Sequence, residues 1–137
     1  MTNDLVAFLR ARLDESAQIA RQAERATGSA DWRADWRQVA ENRFDARIIS
    51  APDKPVFDGY GRIDAAEFAS RQDPARVLAD IEADRALLAQ YEAVADMDTE
   101  DAEPEFAYGR AVGLGVAVCY RALKYANHTD YREEWRP

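Results

Sequence analysis

At 137 residues with 47% hydrophobic and 32% charged side chains, the chain has the size and composition of one globular domain with a single core. The formal net charge of -8 speaks against a general nucleic-acid binder, because phosphate contacts need a basic surface and no Lys/Arg cluster compensates locally. One cysteine, Cys119, excludes an intramolecular disulfide framework and, within its apolar run, reads as a buried, inert thiol.

The N-terminus interleaves charges with apolar residues and lacks the basic start and unbroken apolar run of a signal peptide. A helix is expected over residues 3–26, with Leu5, Phe8, Leu9, Leu13 and Ile19 sharing a face with Ser16, Ala20 and Ala23. Thr2 or Asn3 can cap it, and Gly28 suits the left-handed position that closes it.

The period then changes. Residues 36–40 are expected as a strand, and Phe44, Ala46 and Ile48 alternate with charged residues as a half-buried strand does. Pro52-Asp53-Lys54-Pro55 has turn chemistry, Val56-Phe57 offers a third short strand, and residues 58–61 break the chain. A small antiparallel meander over residues 32–60 is the expectation, with arginines and prolines blunting its edges.

Residues 63–71 read as a short helix with Ile63 and Phe68 pointing inward. Asp73 can cap a long central helix over residues 73–94, with Pro74 in its first position. Val77, Ile81, Leu88 and Tyr91 fall on one face of that helix, widened by Leu78 and Leu87, with helical density expected over residues 63–96.

Residues 96–105 form an acidic connector. Its Asp-x-Asp-x-Glu start resembles a calcium loop, but the sixth position lacks glycine and the twelfth is Ala107 rather than glutamate. The last helix is expected over residues 104–124. Arg110, Arg121 and Lys124 cluster on one narrow side, and nearly all the rest of the circumference is apolar or small. The longest apolar run, residues 111–120, is too short to span a bilayer, so no membrane is expected and the location is cytoplasmic by exclusion. In the tail, residues 125–137, the aromatics Tyr125, Tyr131 and Trp135 are expected as anchors that dock it onto the domain.

The start DLVAFLRARLDE, the central DPARVL and the closing YANHTDYREEWRP together resemble an uncharacterised domain-of-unknown-function family found in actinobacteria and their phages. Its members look like DLVxFLRxRLDE at the start and YADHPDYREEW at the end. The resemblance implies that related chains carry a short cysteine-containing stretch before the final aromatic segment, where this chain has its glycine-rich apolar helix with only Cys119. It also implies His-Asp-Pro-Ala-Arg before the central helix, where this chain has Gln72-Asp73-Pro74. The metal or redox roles those residues would carry are therefore not transferred, and the resemblance brings ancestry without an activity.

Candidate chemistry is sparse. His128 is the sole histidine, so a zinc site would rest almost wholly on carboxylates; its expected role is tail docking, with a hydrogen bond to Asp130. A Cys119–His128 pair fails because an apolar setting disfavours the thiolate a nucleophile needs. Asp84 lies within the apolar stripe of the central helix, expected at its edge and paired with an arginine of a neighbouring helix; the alternative is a buried catalytic acid. Gly59 and Gly61 lack the Lys-Ser/Thr of a phosphate-binding loop. Arg33, Arg37, Arg43 and Arg47 with Trp32, Trp36 and Phe44 have the composition of a single-strand stacking surface, but Asp31, Asp35, Glu41 and Asp45 cancel the charge.

The fold class expected is α+β: three main helices and a short one packed with a small antiparallel meander in a single domain, residues 1–137. The leading function is a non-catalytic protein-interaction module with no metal and no cofactor, binding an unidentified protein partner and forming a homodimer. Its interface candidates are Gly109, Val112, Gly113, Val116 and Tyr120 on the last helix, where an uncovered apolar arc marks an interface and the glycines permit close approach. The alternatives are an acidic inhibitor that mimics DNA charge, from a phage or mobile element, and a carboxylate-dependent enzyme.

Overall fold

The computed structural model describes residues 2–39, 43–50, 54–59, 63–97 and 105–137. Their order is α1 (Thr2–Thr27), β1 (Trp32–Val39), β2 (Arg43–Ser50), β3 (Lys54–Gly59), α2 (Ile63–Ser70), α3 (Pro74–Glu92) and α4 (Glu105–Ala122), with short 3-10 turns at Ala95–Met97, Leu123–Tyr125 and Glu133–Trp135. The class is α+β. Residues 98–104 of the calcium-like segment, Pro104 among them, fall outside the described residues with the Pro52-Asp53 turn and Gly61, as do the side chains of Trp36, Phe44 and Ile63.

Two compact units divide the chain: Met1–Asp14 with Ile81–Pro137, and Glu15–Asp80. The first is helical. Leu5, Val6, Phe8, Leu9 and Leu13 of α1, Ile81, Leu88 and Tyr91 of α3, and Ala111, Val118 and Ala122 of α4 are all buried. Each set recurs at helical spacing, so each helix turns one stripe inward. Exposed ion pairs run alongside: Arg10 to Glu92 at 2.6 Å and Arg85 to Asp14 at 2.7 Å. The hydrogen bonds that Asp14 and Glu82 accept from Arg85 raise its pKa above the ordinary arginine value.

The second unit holds an antiparallel sheet of order β1-β2-β3. Trp32 pairs with Ser50 and Val39 with Arg43, while Ile48 pairs with Phe57 and Ser50 with Lys54 across an irregularity at Ile48/Ile49. On the central strand Ala46, Ile48 and Ser50 are buried, the two-residue period of a strand with one covered face. Ala66 of α2 packs there with Trp32, Val56 and Ala69. The Ser50 hydroxyl lies 3.2 Å from the Thr27 carbonyl and 3.3 Å from that of Lys54, which satisfies a polar group buried in the sheet. Gly28 closes α1 with φ of 71°, a conformation that side chains bearing a Cβ rarely adopt.

Asp73 caps α3 as its sequence position predicts, its Oδ1 accepting from the Arg76 N–H at 2.8 Å. Three expectations need correction. The first strand begins at Trp32, four residues before the expected Trp36, because β2 is long enough to pair with it as far as Ser50; Ala40 lies outside the described residues. Phe68 is 69% exposed, since small residues, Ala66 and Ala69, occupy the face of α2 toward the sheet. Ile19 is 61% exposed; it lies about 120° around the helix from Leu13, and Ala17 and Ala20 continue the buried stripe instead.

Candidate functional site

The inner face of α4 is set by Ala111, Val118 and Ala122, all buried. The opposite face carries large apolar groups into solvent: Phe106 is 81% exposed, Tyr120 60%, and Val112 and Val116 are exposed as well. Between them, a Cβ built on Gly109 or Gly113 meets nothing within 4 Å among the described residues. Gly115 behaves differently. A Cβ there would lie 3.3 Å from Tyr91 Cε2, so it is Gly115 that admits the α3 tyrosine against α4 within the unit. Cys119, expected as buried, is half-buried on the same helix.

Phe106, Gly109, Gly113, Val116 and Tyr120 follow one another at steps of three, four, three and four residues. That is the 3.5-residue repeat of a two-helix seam, and it runs about 21 Å along the helix. Glu105 borders the seam on one side and Arg110 on the other. The Arg110 Nη2 donates to Gln90 Oε1 at 2.5 Å. Phe106 was not among the expected interface residues; the same three-and-four spacing read one step further back would have included it.

Asp84 is 7% exposed. Its Oδ1 lies 3.0 Å from Arg121 Nε and its Oδ2 accepts from Lys124 Nζ at 2.8 Å. Both cations come from the end of α4 and the turn after it, so two of the three residues read as a narrow basic side, Arg121 and Lys124, neutralise the acid. Leu9, Leu13, Leu87 and Leu88 line the small cavity beside the carboxylate.

The tail gathers on Phe8 of α1. The Phe8 ring centroid lies 5.0 Å from that of Trp135, 5.7 Å from His128, 6.1 Å from Tyr125 and 6.3 Å from Tyr131. His128 Nε2 is in contact with Arg12 Nη1, and its Nδ1 faces the Asp130 backbone N–H at 3.1 Å. The Asp130 carboxylate stands 3.8 Å off, beyond a direct hydrogen bond. Arg132 Nη1 donates to Asp4 at 2.8 Å and its guanidinium stands 5.5 Å from the Trp135 ring centre.

A family model matches residues 2–137, which is all but the first residue of the chain. The chain belongs to the family of unknown function DUF6221. No curated protein and no solved structure matches it.

In this DUF6221 chain, among the described residues, no helix is long and apolar enough to cross a membrane. The sheet unit has an apolar cavity of about 380 Å³ between the strands and α2, lined by Trp32, Ala46, Ile48, Val56, Phe57 and the alanines of α2. Trp32, one of the aromatics weighed for and set aside as a stacking surface, lines this cavity. Arg47 is half-buried on β2, and the side chains of Arg33, Arg37 and Arg43 lie outside the described residues.

Proposed function

We propose that this DUF6221 protein is a non-catalytic interaction module, of an actinobacterium or one of its phages and working in the cytoplasm, that self-associates through the outer face of α4. The observation that carries the reading is the exposed seam from Phe106 to Tyr120, with open space over Gly109 and Gly113. Exposing Phe106 and Tyr120 to water has an unfavourable free energy that a partner surface removes. Glycines inside a helix cost about 1 kcal/mol each relative to alanine, and within the unit nothing described fills the space above Gly113. Close approach of a second copy is the compensation. A carboxylate enzyme centred on Asp84 gains no support, since both of its oxygens are held by cations.

Replacing Gly113 with Leu tests the reading. A Cβ and isobutyl group there hold two helices apart without touching the unit itself, so light scattering after size exclusion should show the unmodified chain as a dimer and the variant as a monomer of unchanged helicity by circular dichroism. An unmodified chain that elutes as a monomer at high micromolar concentration overturns it.

A further inference from the structure

We infer that two α4 helices pair in parallel and in register across a two-fold axis that runs along the seam. The inference rests on the self-association proposed above and deepens it by fixing the orientation of the partner copy. In a parallel pair, a residue flanking the seam on one side meets the residue five positions later on the opposite flank of the other helix. Glu105 and Arg110 stand in that relation. Both are exposed, and Arg110 keeps donors besides the one it gives to Gln90. The parallel arrangement therefore sets Glu105 of each copy against Arg110 of the other, twice by symmetry. The next flanking pair by the same rule is Val112 with Ala117, small and apolar.

The antiparallel arrangement puts like flanks together. Glu105 and Arg110 border opposite sides of the seam, so the antiparallel pair never sets one against the other and forms neither of the two intermolecular ion pairs. Charge thus decides between two arrangements that the apolar seam alone permits. Within the parallel pair Phe106, Gly113 and Tyr120 each face their own counterparts across the axis, as do Gly109 and Val116. The glycine layers bring the backbones close, and the aromatic layers close the seam at either end.

Two measurements on the full chain test this. Val116→Cys in a Cys119→Ser background should form an intermolecular disulfide under mild oxidation, because residue 116 faces itself in the parallel pair, whereas an antiparallel pair of this seam, centred on residue 113, sets it opposite residue 110. Glu105→Arg and Arg110→Glu should each weaken the dimer about fivefold or more at low salt, and the two together should restore it to within about twofold. A dimer that forms without the cross-link and shows no restoration in the double variant overturns the parallel arrangement while leaving self-association standing. A chain that is monomeric throughout, with helicity intact, overturns both.

Discussion

Asp84 Oδ2 accepts a hydrogen bond from Lys124 Nζ at 2.8 Å, which joins the middle of α3 to the turn that follows α4. Arg121 Nε completes the arrangement at 3.0 Å from the other oxygen. The acid is buried and the two cations are about half exposed, and that asymmetry governs what substitution does. Removing Asp84 leaves two cations that water can hydrate, at roughly 1–3 kcal/mol for the lost charged hydrogen bonds. Removing both Arg121 and Lys124 leaves a carboxylate desolvated without a partner, at about 3–5 kcal/mol. Urea unfolding of Asp84→Ala and of the Arg121→Ala/Lys124→Ala pair should show the pair as the less stable; the reverse order would mean that the cations contribute nothing to holding the acid.

The tail should contribute to the stability of the helical unit. Trp135 is 2% exposed and its ring lies 5.0 Å from that of Phe8. Trp135→Ala should cost about 3–5 kcal/mol, in the range for a buried aromatic. Phe8→Ala should cost a similar amount, with the double substitution falling short of the sum by about 0.5–1.5 kcal/mol. A chain ending at Asn127 that melts like the full one would show the tail to be energetically free of α1.

The glycines of α4 should respond differently to alanine. At Gly113 the added methyl meets open space, so the monomer gains up to about 1 kcal/mol of helix propensity while the dimer loses affinity. At Gly115 it meets the ring of Tyr91 at 3.3 Å, and Tyr91 is buried, so the propensity gain is offset by crowding. Thermal melts at low concentration should rank Gly113→Ala above Gly115→Ala. Equal gains at both positions would mean that Tyr91 shifts freely.

Phe68 should be dispensable and Ala66 should not. Phe68→Ser changes an exposed side chain, with an expected effect of about 0.5 kcal/mol or less. Ala66→Asn buries an amide against the apolar cavity it shares with Ala46 and Ile48, which should cost about 1–3 kcal/mol. Chemical denaturation distinguishes the two at once.

What the sequence carried was the helical and strand periodicity and the caps. The Asp73-Pro74 start of α3, the Gly28 close of α1 and the inward alternation of Ala46 and Ile48 each have a local physical cause that spacing reveals. What it did not carry depends on partners across the fold. Trp32 joins β1 because Ser50 lies opposite it, a relation invisible in the residues around Trp32. The pattern of α2 points Phe68 inward, whereas the sheet takes Ala66 and Ala69. The pairing of Asp84 with a neighbouring arginine was readable from an acid in an apolar stripe; the second cation, Lys124, was not. The helical period sets Gly115 away from Gly109 and Gly113, but that Tyr91 is the neighbour Gly115 admits is legible only in the fold.

Sedimentation equilibrium of the unmodified chain, from low to high micromolar concentration, tests the central claim most directly. A mass that rises with concentration from that of one chain to that of two, and that stays at one chain for Gly113→Leu, is the result predicted by a self-associating α4 seam. A mass of one chain for the unmodified protein across the whole range would contradict it.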